Sequence, residues 1–366
     1  SEVEVAHELE SPRLCEAQSV PIPRQLAEPL PQRGGLLWRQ RPRRIGERIP
    51  AVYLTRRCWF ALSRFMVMKK TPPEPRWVGV IPGSIFPSML HLAISQFRPT
   101  KGEYAQNLEG IGAVLGQAAR IDPRPDLVVF PETATSGYFV EGGVKQVAVT
   151  AGTLLQDLDR VYRAAGGGNP PLDVAIGFYE RFQNHFYNSC LYATLGSKKP
   201  DVRHVHRKVF LPTYGVFDEE RFVDRGQDGV RAFDTSWGGR AAILICEDAW
   251  HGLAGTIAAL EGAQVIIVPS ASPARGTGAV EAGTRLPASM VRWERVVRGL
   301  AEEHGVFVVL ANLVGFEGGK GFPGASVVVD PMGELVVRGP LFEEALVSAA
   351  IDLEQLTHAR ADAPLL

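Results

Sequence analysis

Three short segments of this chain end in side chains that together can carry acyl transfer: Phe130-Pro131-Glu132, His206-Arg207-Lys208 and Ile245-Cys246-Glu247. Each follows residues of strand type, and a reactive group at the end of a strand stands on rigid backbone while facing a crevice. Taken singly, none is diagnostic. A glutamate after Leu127-Val128-Val129-Phe130-Pro131 can simply cap a helix, and Lys208 can belong to a solvated basic cluster. A lone buried cysteine is usually inert packing. Cys246 differs because Glu247-Asp248 follow at once, so the strand is expected to reach a polar rim there. As a set the three make chemical sense. A thiol is mostly protonated at neutral pH, and only the thiolate attacks well. A carboxylate such as Glu132 can take that proton. The Lys208 ammonium and the backbone N–H of Glu247 can face the oxyanion that develops.

Other candidates are weaker. Cys190 lies mid-strand in Asn188-Ser189-Cys190-Leu191-Tyr192 and reads as packing. His204 and His206 alternate on an extended segment without an evident third ligand, so no metal site is expected.

The elements that must position these groups alternate between strand and helix. Strands are expected at His91–Phe97, Asp126–Phe130, Asp173–Tyr179, Tyr187–Leu195, His204–Val209, Arg240–Ile245, Val265–Pro269 and Val306–Leu310. A hairpin is expected at Val327–Arg338 around Pro331-Met332-Gly333-Glu334. Helices are expected at Glu103–Ala119, where Leu108, Ile111, Leu115 and Ala118 share a face, and at Val144–Arg163, Leu253–Leu260 and Arg285–His304. This order predicts an α/β protein with helices layered on sheet, formed by residues 89–366.

The order Glu, Lys, Cys after successive strands resembles the nitrilase, or carbon–nitrogen hydrolase, superfamily. Pro131-Glu132, Lys208-Val209-Phe210-Leu211-Pro212 and Ile245-Cys246 match its motifs. So do Gly137-Tyr138, Tyr187-Asn188-Ser189, Phe217-Asp218-Glu219, Gly324-Ala325-Ser326 and Asp330-Pro331-Met332-Gly333. The resemblance spans about residues 89–352. Lys208–Phe222, Cys246–Trp250 and Pro269–Pro273 look most like the glutamine-hydrolysing domain of glutamine-dependent NAD synthetases. Nitrilases proper typically place Trp after the cysteine; Glu247 stands there instead, which favours an amide over a nitrile.

The resemblance implies a four-layer-forming α-β-β-α sandwich that pairs with its copy in a homodimer or larger, without cofactor or metal. It implies that Glu132 is the base, Cys246 the nucleophile and Lys208 an oxyanion partner. Glu219 would be a second active-site glutamate that orients substrate or Lys208. Tyr214, Ser270 and Ser272 become candidates for the substrate pocket. The expected activity is hydrolysis of a small carboxamide through a cysteine thioester, with release of ammonia. The alternatives are an N-carbamoyl amidohydrolase, a glutaminase that feeds a separate synthetase chain, or an idle binding protein that kept the fold. No P-loop, dinucleotide fingerprint or Ser-Gly-Gly-x-Asp-Ser loop occurs, so a synthetase role would need a partner chain.

Composition sets outer bounds. The chain has 366 residues, 45% hydrophobic and 22% charged, ordinary for a globular protein. A net charge of -1 and a pI near 6.7 point to neither nucleic acid nor an anionic membrane as partner. Four cysteines without a CxxC pair argue against a disulfide framework or zinc and for a reducing, cytoplasmic setting. No apolar run is long enough for a membrane span. Residues 1–88 read differently: from Arg33 to Lys70 there are nine Arg and two Lys against the single acid Glu47. This Pro- and Arg-rich segment is expected to be a disordered leader or sequence upstream of the true start. An organellar transit peptide and a basic tether for an acidic partner are the alternatives.

Overall fold

Along the first strand the side chains divide two ways: Leu90, Leu92 and Ile94 enter one apolar core, Ala93 and Phe97 another. That two-sided burial, repeated on neighbouring strands, decides the architecture of this computed structural model, which describes residues 88–276 and 286–364. The basic segment with Cys15 and Cys58, and residues 277–285, lie outside the described residues.

The elements run β1 (Met89–Gln96), α1 (Tyr104–Ala118), β2 (Leu127–Val129), α2 (Val144–Val147), α3 (Ala151–Ala164), β3 (Leu172–Phe182), β4 (His185–Leu195) and β5 (Asp201–Arg207). There follow β6 (Ala232–Asp234), β7 (Arg240–Ile243), α4 (Gly252–Leu260), β8 (Val265–Ser270), α5 (Ala288–His304) and β9 (Phe307–Asn312). The hairpin β10 (Val314–Glu317) and β11 (Lys320–Pro323), then β12 (Val327–Val329), β13 (Leu335–Arg338), β14 (Ala345–Asp352) and α6 (Gln355–Asp362) complete the domain.

Two six-stranded sheets result, ordered β14-β1-β2-β3-β4-β5 and β13-β12-β9-β8-β7-β6. In each, three central strands are parallel (β1-β2-β3 and β7-β8-β9) and the outer ones antiparallel. One core packs Leu108, Ile111 and Leu115 of α1 and Leu154 and Leu158 of α3 on Val128, Val174 and Ile176 of the first sheet. The other joins Leu92, Leu127, Val129 and Ala175 of that sheet to Ile266, Val268 and Val308 of the second and to Met290 and Val297 of α5. The layers are therefore helix, sheet, sheet, helix, and the expected α-β-β-α sandwich is the one observed. No helix among the described residues is long and apolar enough to cross a membrane.

The structure departs from expectation in places. A single helix over Val144–Arg163 does not form. Val149 leaves it to bridge β3: its N–H donates to Tyr179 O at 3.1 Å and its carbonyl accepts from Arg181 N at 2.8 Å. Thr150 is extended, and its Oγ1 accepts from Thr153 N at 3.1 Å to start α3 afresh. The polar linker between the strands around Tyr179 and Tyr187 is mostly strand, a tight hairpin turning on Gln183 and Asn184 with φ of 47° and 67°. Sequence periodicity also gave no sign of β14, which pairs antiparallel with β1 from Met89↔Asp352 to Gln96↔Ala345.

Candidate active site

The Glu132 segment is held by its neighbours on β3. Phe130 N–H donates to Ala175 O at 2.7 Å, and the Pro131 carbonyl accepts from Gly177 N at 3.1 Å. Thr133 has φ of 50°, a strained conformation for a β-branched residue. The segment passes so close to β3 that a Cβ on Gly177 would lie 2.4 Å from Thr133 N and 2.5 Å from Glu132 Cα. Backbone cannot yield cheaply there. Gly177→Ala is therefore expected to displace Glu132 and lower kcat by about 10²-fold, with a loss of about 1–3 kcal/mol in stability. Steady-state kinetics beside a thermal melt checks this.

Lys208 stands just beyond β5, its N–H donating to Asn188 O at 2.9 Å. Its Nζ donates to Glu132 Oε1 and to Glu219 Oε1, both at 2.7 Å, with all three side chains buried. Asn188 Nδ2 donates to Glu132 Oε1 at 2.8 Å, and Ala271 N–H to Glu132 Oε2 at 2.7 Å. Tyr138 OH donates to Glu219 Oε1 in a very short bond. Burial works against the Lys208 charge, but Glu132 and Glu219 outweigh it and hold the ammonium well above its usual range. Glu219 is pushed up to about 7, by burial first and by Glu132 next, with Lys208 opposing. Its Oε2 has no hydrogen-bond partner among the described residues, so the charged form lacks full support.

The sign for stability follows from that rise. A carboxyl whose folded pKa exceeds its ordinary 4.5 binds more protons in the folded state between 4.5 and about 7. Folding is then favoured as pH falls through that window. The urea midpoint of wild type should thus gain on that of Glu219→Gln as pH is lowered from about 7 towards 4.5. A pH-independent difference would refute the assignment.

Cys246 opens a 3-10 turn, Cys246–Trp250, with φ of 45°. It is another non-glycine residue in the left-handed region, at a sharp exit from a strand. Its Sγ accepts from Ser270 Oγ at 3.5 Å. Burial first, then the Glu132 charge, raise the thiol, while Lys208 and the Ser270 bond draw it down. Ser270, bonded to the sulfur, is followed by Ala271, whose N–H bonds Glu132, so consecutive residues hold the thiol and that carboxylate. Cys190 is wholly buried among core side chains, with its thiol raised by burial alone. The polar rim expected after Cys246 is only half present: Glu247 faces a cavity, but Asp248 is 0% exposed.

The profile of the carbon–nitrogen hydrolase family matches residues 91–361. The chain belongs to that family. It is 33% identical over 257 residues to a glutamine-dependent NAD(+) synthetase of Xylella fastidiosa, a match covering 70% of this chain and 43% of that protein. The chain thus spans less than half of that relative. Among solved structures it is similar to a carbon–nitrogen hydrolase from Helicobacter pylori G27, with TM-score 0.66, 24% identity, and 76% of this chain and 94% of the other covered. It is also similar to an amidase from Nesterenkonia sp., with TM-score 0.58, 23% identity, and 75% and 94% covered.

In this carbon–nitrogen hydrolase a cavity of about 340 Å³ opens over Cys246. Tyr214, Glu247, Trp250, Ser272 and Trp293 line it, together with Arg275 and Arg292. Tyr214 is 54% exposed and donates its OH to Glu247 Oε2 at 2.7 Å. Ser272 Oγ accepts from Trp293 Nε1 at 2.6 Å. Ser270 is buried against the sulfur and is not part of the cavity lining. The sequence-predicted residues thus divide into a buried ionic cluster (Glu132, Lys208, Glu219), a thiol with its serine, and a pocket wall. Sequence reasoning missed Asn188 and Ala271 N–H as donors to Glu132, Tyr138 as donor to Glu219, and Gly177 as the space that Glu132 needs. Gly137-Tyr138 and Tyr187-Asn188-Ser189 were visible as motifs but carried no assigned task.

Proposed function

We propose that the chain is a thiol amidohydrolase that cleaves a small carboxamide through a Cys246 thioester and releases ammonia. The observation that carries this is the buried Lys208 ammonium bridging Glu132 and Glu219, with Ser270 bonded to the Cys246 sulfur and the next residue, Ala271, bonded to Glu132. A thiol raised by burial is protonated at rest, so its proton must leave as attack begins. Glu132 accepts it. The thiolate adds to the amide carbonyl, and Lys208 with the Glu247 backbone N–H stabilises the oxyanion. Glu132 returns the proton to the departing nitrogen, then deprotonates the water that cleaves the thioester and restores the thiol. Glu219 holds Lys208 in place.

The pocket supports an amide with a charged head. Arg275 and Arg292 suit a carboxylate and Glu247 an ammonium, a pairing that glutamine offers and an N-carbamoyl amino acid offers only in half. The similarity to glutamine-dependent NAD synthetases supports the same choice. A homodimer or larger assembly is part of the reading: Leu253 and Leu260 on the outer face of α4 are each 68% exposed and suit a second copy. An ammonia-release assay over ω-amides, simple aliphatic amides, N-carbamoyl amino acids and nitriles tests the function. Turnover of carboxamides with a Cys246 acyl adduct supports it. No turnover of any class, and no alkylation of Cys246, would leave an idle binding protein.

A further inference from the structure

We propose that Asp248 is the positioning residue that fixes Cys246 against Lys208. The two groups belong to opposite halves of the sandwich: Lys208 follows β5 of the first sheet and Cys246 follows β7 of the second. Apolar packing joins the sheets, and such packing is non-directional. Asp248 adds direction. Its Oδ2 accepts from Ile245 N–H at 3.1 Å and from His206 Nε2 at 2.9 Å. Its Oδ1 accepts from Val209 N–H at 3.0 Å and from Phe210 N–H at 2.8 Å. Ile245 immediately precedes the nucleophile, and Val209 immediately follows the lysine. One buried carboxylate therefore ties the backbone on either side of the reacting pair. Charge-assisted bonds of this kind are stronger and shorter than neutral ones. They also brace the left-handed Cys246, which the local chain would otherwise relax. Asp248 itself does not line the cavity, and the hydrogen bond to the sulfur comes from Ser270.

Its consequence for rate rests on the acyl-transfer reading; its geometry does not. The test is Asp248→Asn, which keeps the size and one acceptor but turns an amide N–H towards existing donors. A displacement near 1 Å between thiol and ammonium lowers kcat by about 10²-fold, with KM close to wild type. The pH dependence of Cys246 alkylation by iodoacetamide, read by peptide mass, separates positioning from charge. Removing a nearby negative charge alone would ease thiolate formation and move the profile to lower pH. Losing alignment with Lys208 moves it to higher pH, and that is the expected result. His206→Leu keeps the carboxylate and removes one donor, so it should shift the profile the same way by less. A folded Asp248→Asn protein, or His206→Leu protein if the first does not fold, with an unmoved or lowered profile overturns the proposal. Hydrogen exchange reads the strut without any reactivity: faster exchange at Ile245, Val209 and Phe210 together supports it, and unaltered exchange overturns it. A wild-type Cys246 that iodoacetamide does not label would count against the acyl-transfer reading, with the exchange result still deciding the strut.

Discussion

Cys246→Ala should lower amide hydrolysis by about 10⁴-fold or more, the scale set by removing a covalent nucleophile, while the folded state survives. Among the described residues the sulfur accepts a hydrogen bond only from Ser270 Oγ, at 3.5 Å, so truncation leaves little unsatisfied there. Alanine meets the same penalty as cysteine at a φ of 45°. Melting temperature should therefore change little. Cys190→Ala is the paired control. Cys190 contributes packing between core side chains, and its loss should cost about 1 kcal/mol or somewhat more through a small cavity while turnover persists. Ammonia release by both variants, with intact mass after mixing with substrate, checks the pair. Activity of Cys246→Ala within tenfold of wild type, or loss of activity in a folded Cys190→Ala, would undo the assignment of the nucleophile.

Lys208→Met should show the largest loss of stability of any single change in the site. The ammonium sits 2.7 Å from each of two buried carboxylates, and methionine leaves both in low dielectric without a cation. Removing one partner from a buried ionic group typically costs about 3–5 kcal/mol. The deficit should depend on pH in a defined sense. Without the lysine, which opposes the rise, Glu219 favours its proton in the folded state still more strongly, so the variant regains stability as pH falls. Turnover should drop by about 10²–10³-fold from the lost oxyanion partner. Urea titrations at several pH values separate these effects. Adding Glu219→Gln should recover part of the loss, because the two groups share one interaction and their changes do not add. An unchanged urea midpoint in Lys208→Met would show that the cluster is not the buried electrostatic unit described here.

How much of this was legible in the sequence follows from which residues act through position along the chain and which through pairing across it. Glu132, Lys208 and Cys246 each end a short strand-like run, and strand ends are visible locally. The layered α/β fold was likewise legible, because strand-type runs alternate with helical ones and the spaced apolar residues Leu108, Ile111, Leu115 and Ala118 of α1 declare their face. Asn188 was not legible as a donor to Glu132. It sits mid-strand, and only the antiparallel register of β4 beside β3 brings it to the carboxylate. Gly177 is silent for the same reason: its missing side chain matters only because Pro131–Thr133 crosses it. Asp248 was misread because a carboxylate beside another carboxylate looks like surface, whereas its four donors come largely from a distant strand end. The break at Ala148–Thr150 was hidden because apolar spacing continues through it, while the bridging bonds come from Tyr179 and Arg181. β14 escaped because it is only half buried, with few large apolar side chains to mark it.

The pairing of β1 with β14 sets an order of events during synthesis. Met89 leaves the ribosome early, yet its partner Asp352 arrives only when almost the whole domain has been made. Until then the sheet that carries Glu132 and Lys208 has an unclosed edge at β1, although the segment bearing Cys246 is already present. A nascent chain of this kind carries its thiol before that edge is closed. The first sheet reaches its full six strands only when that last strand docks.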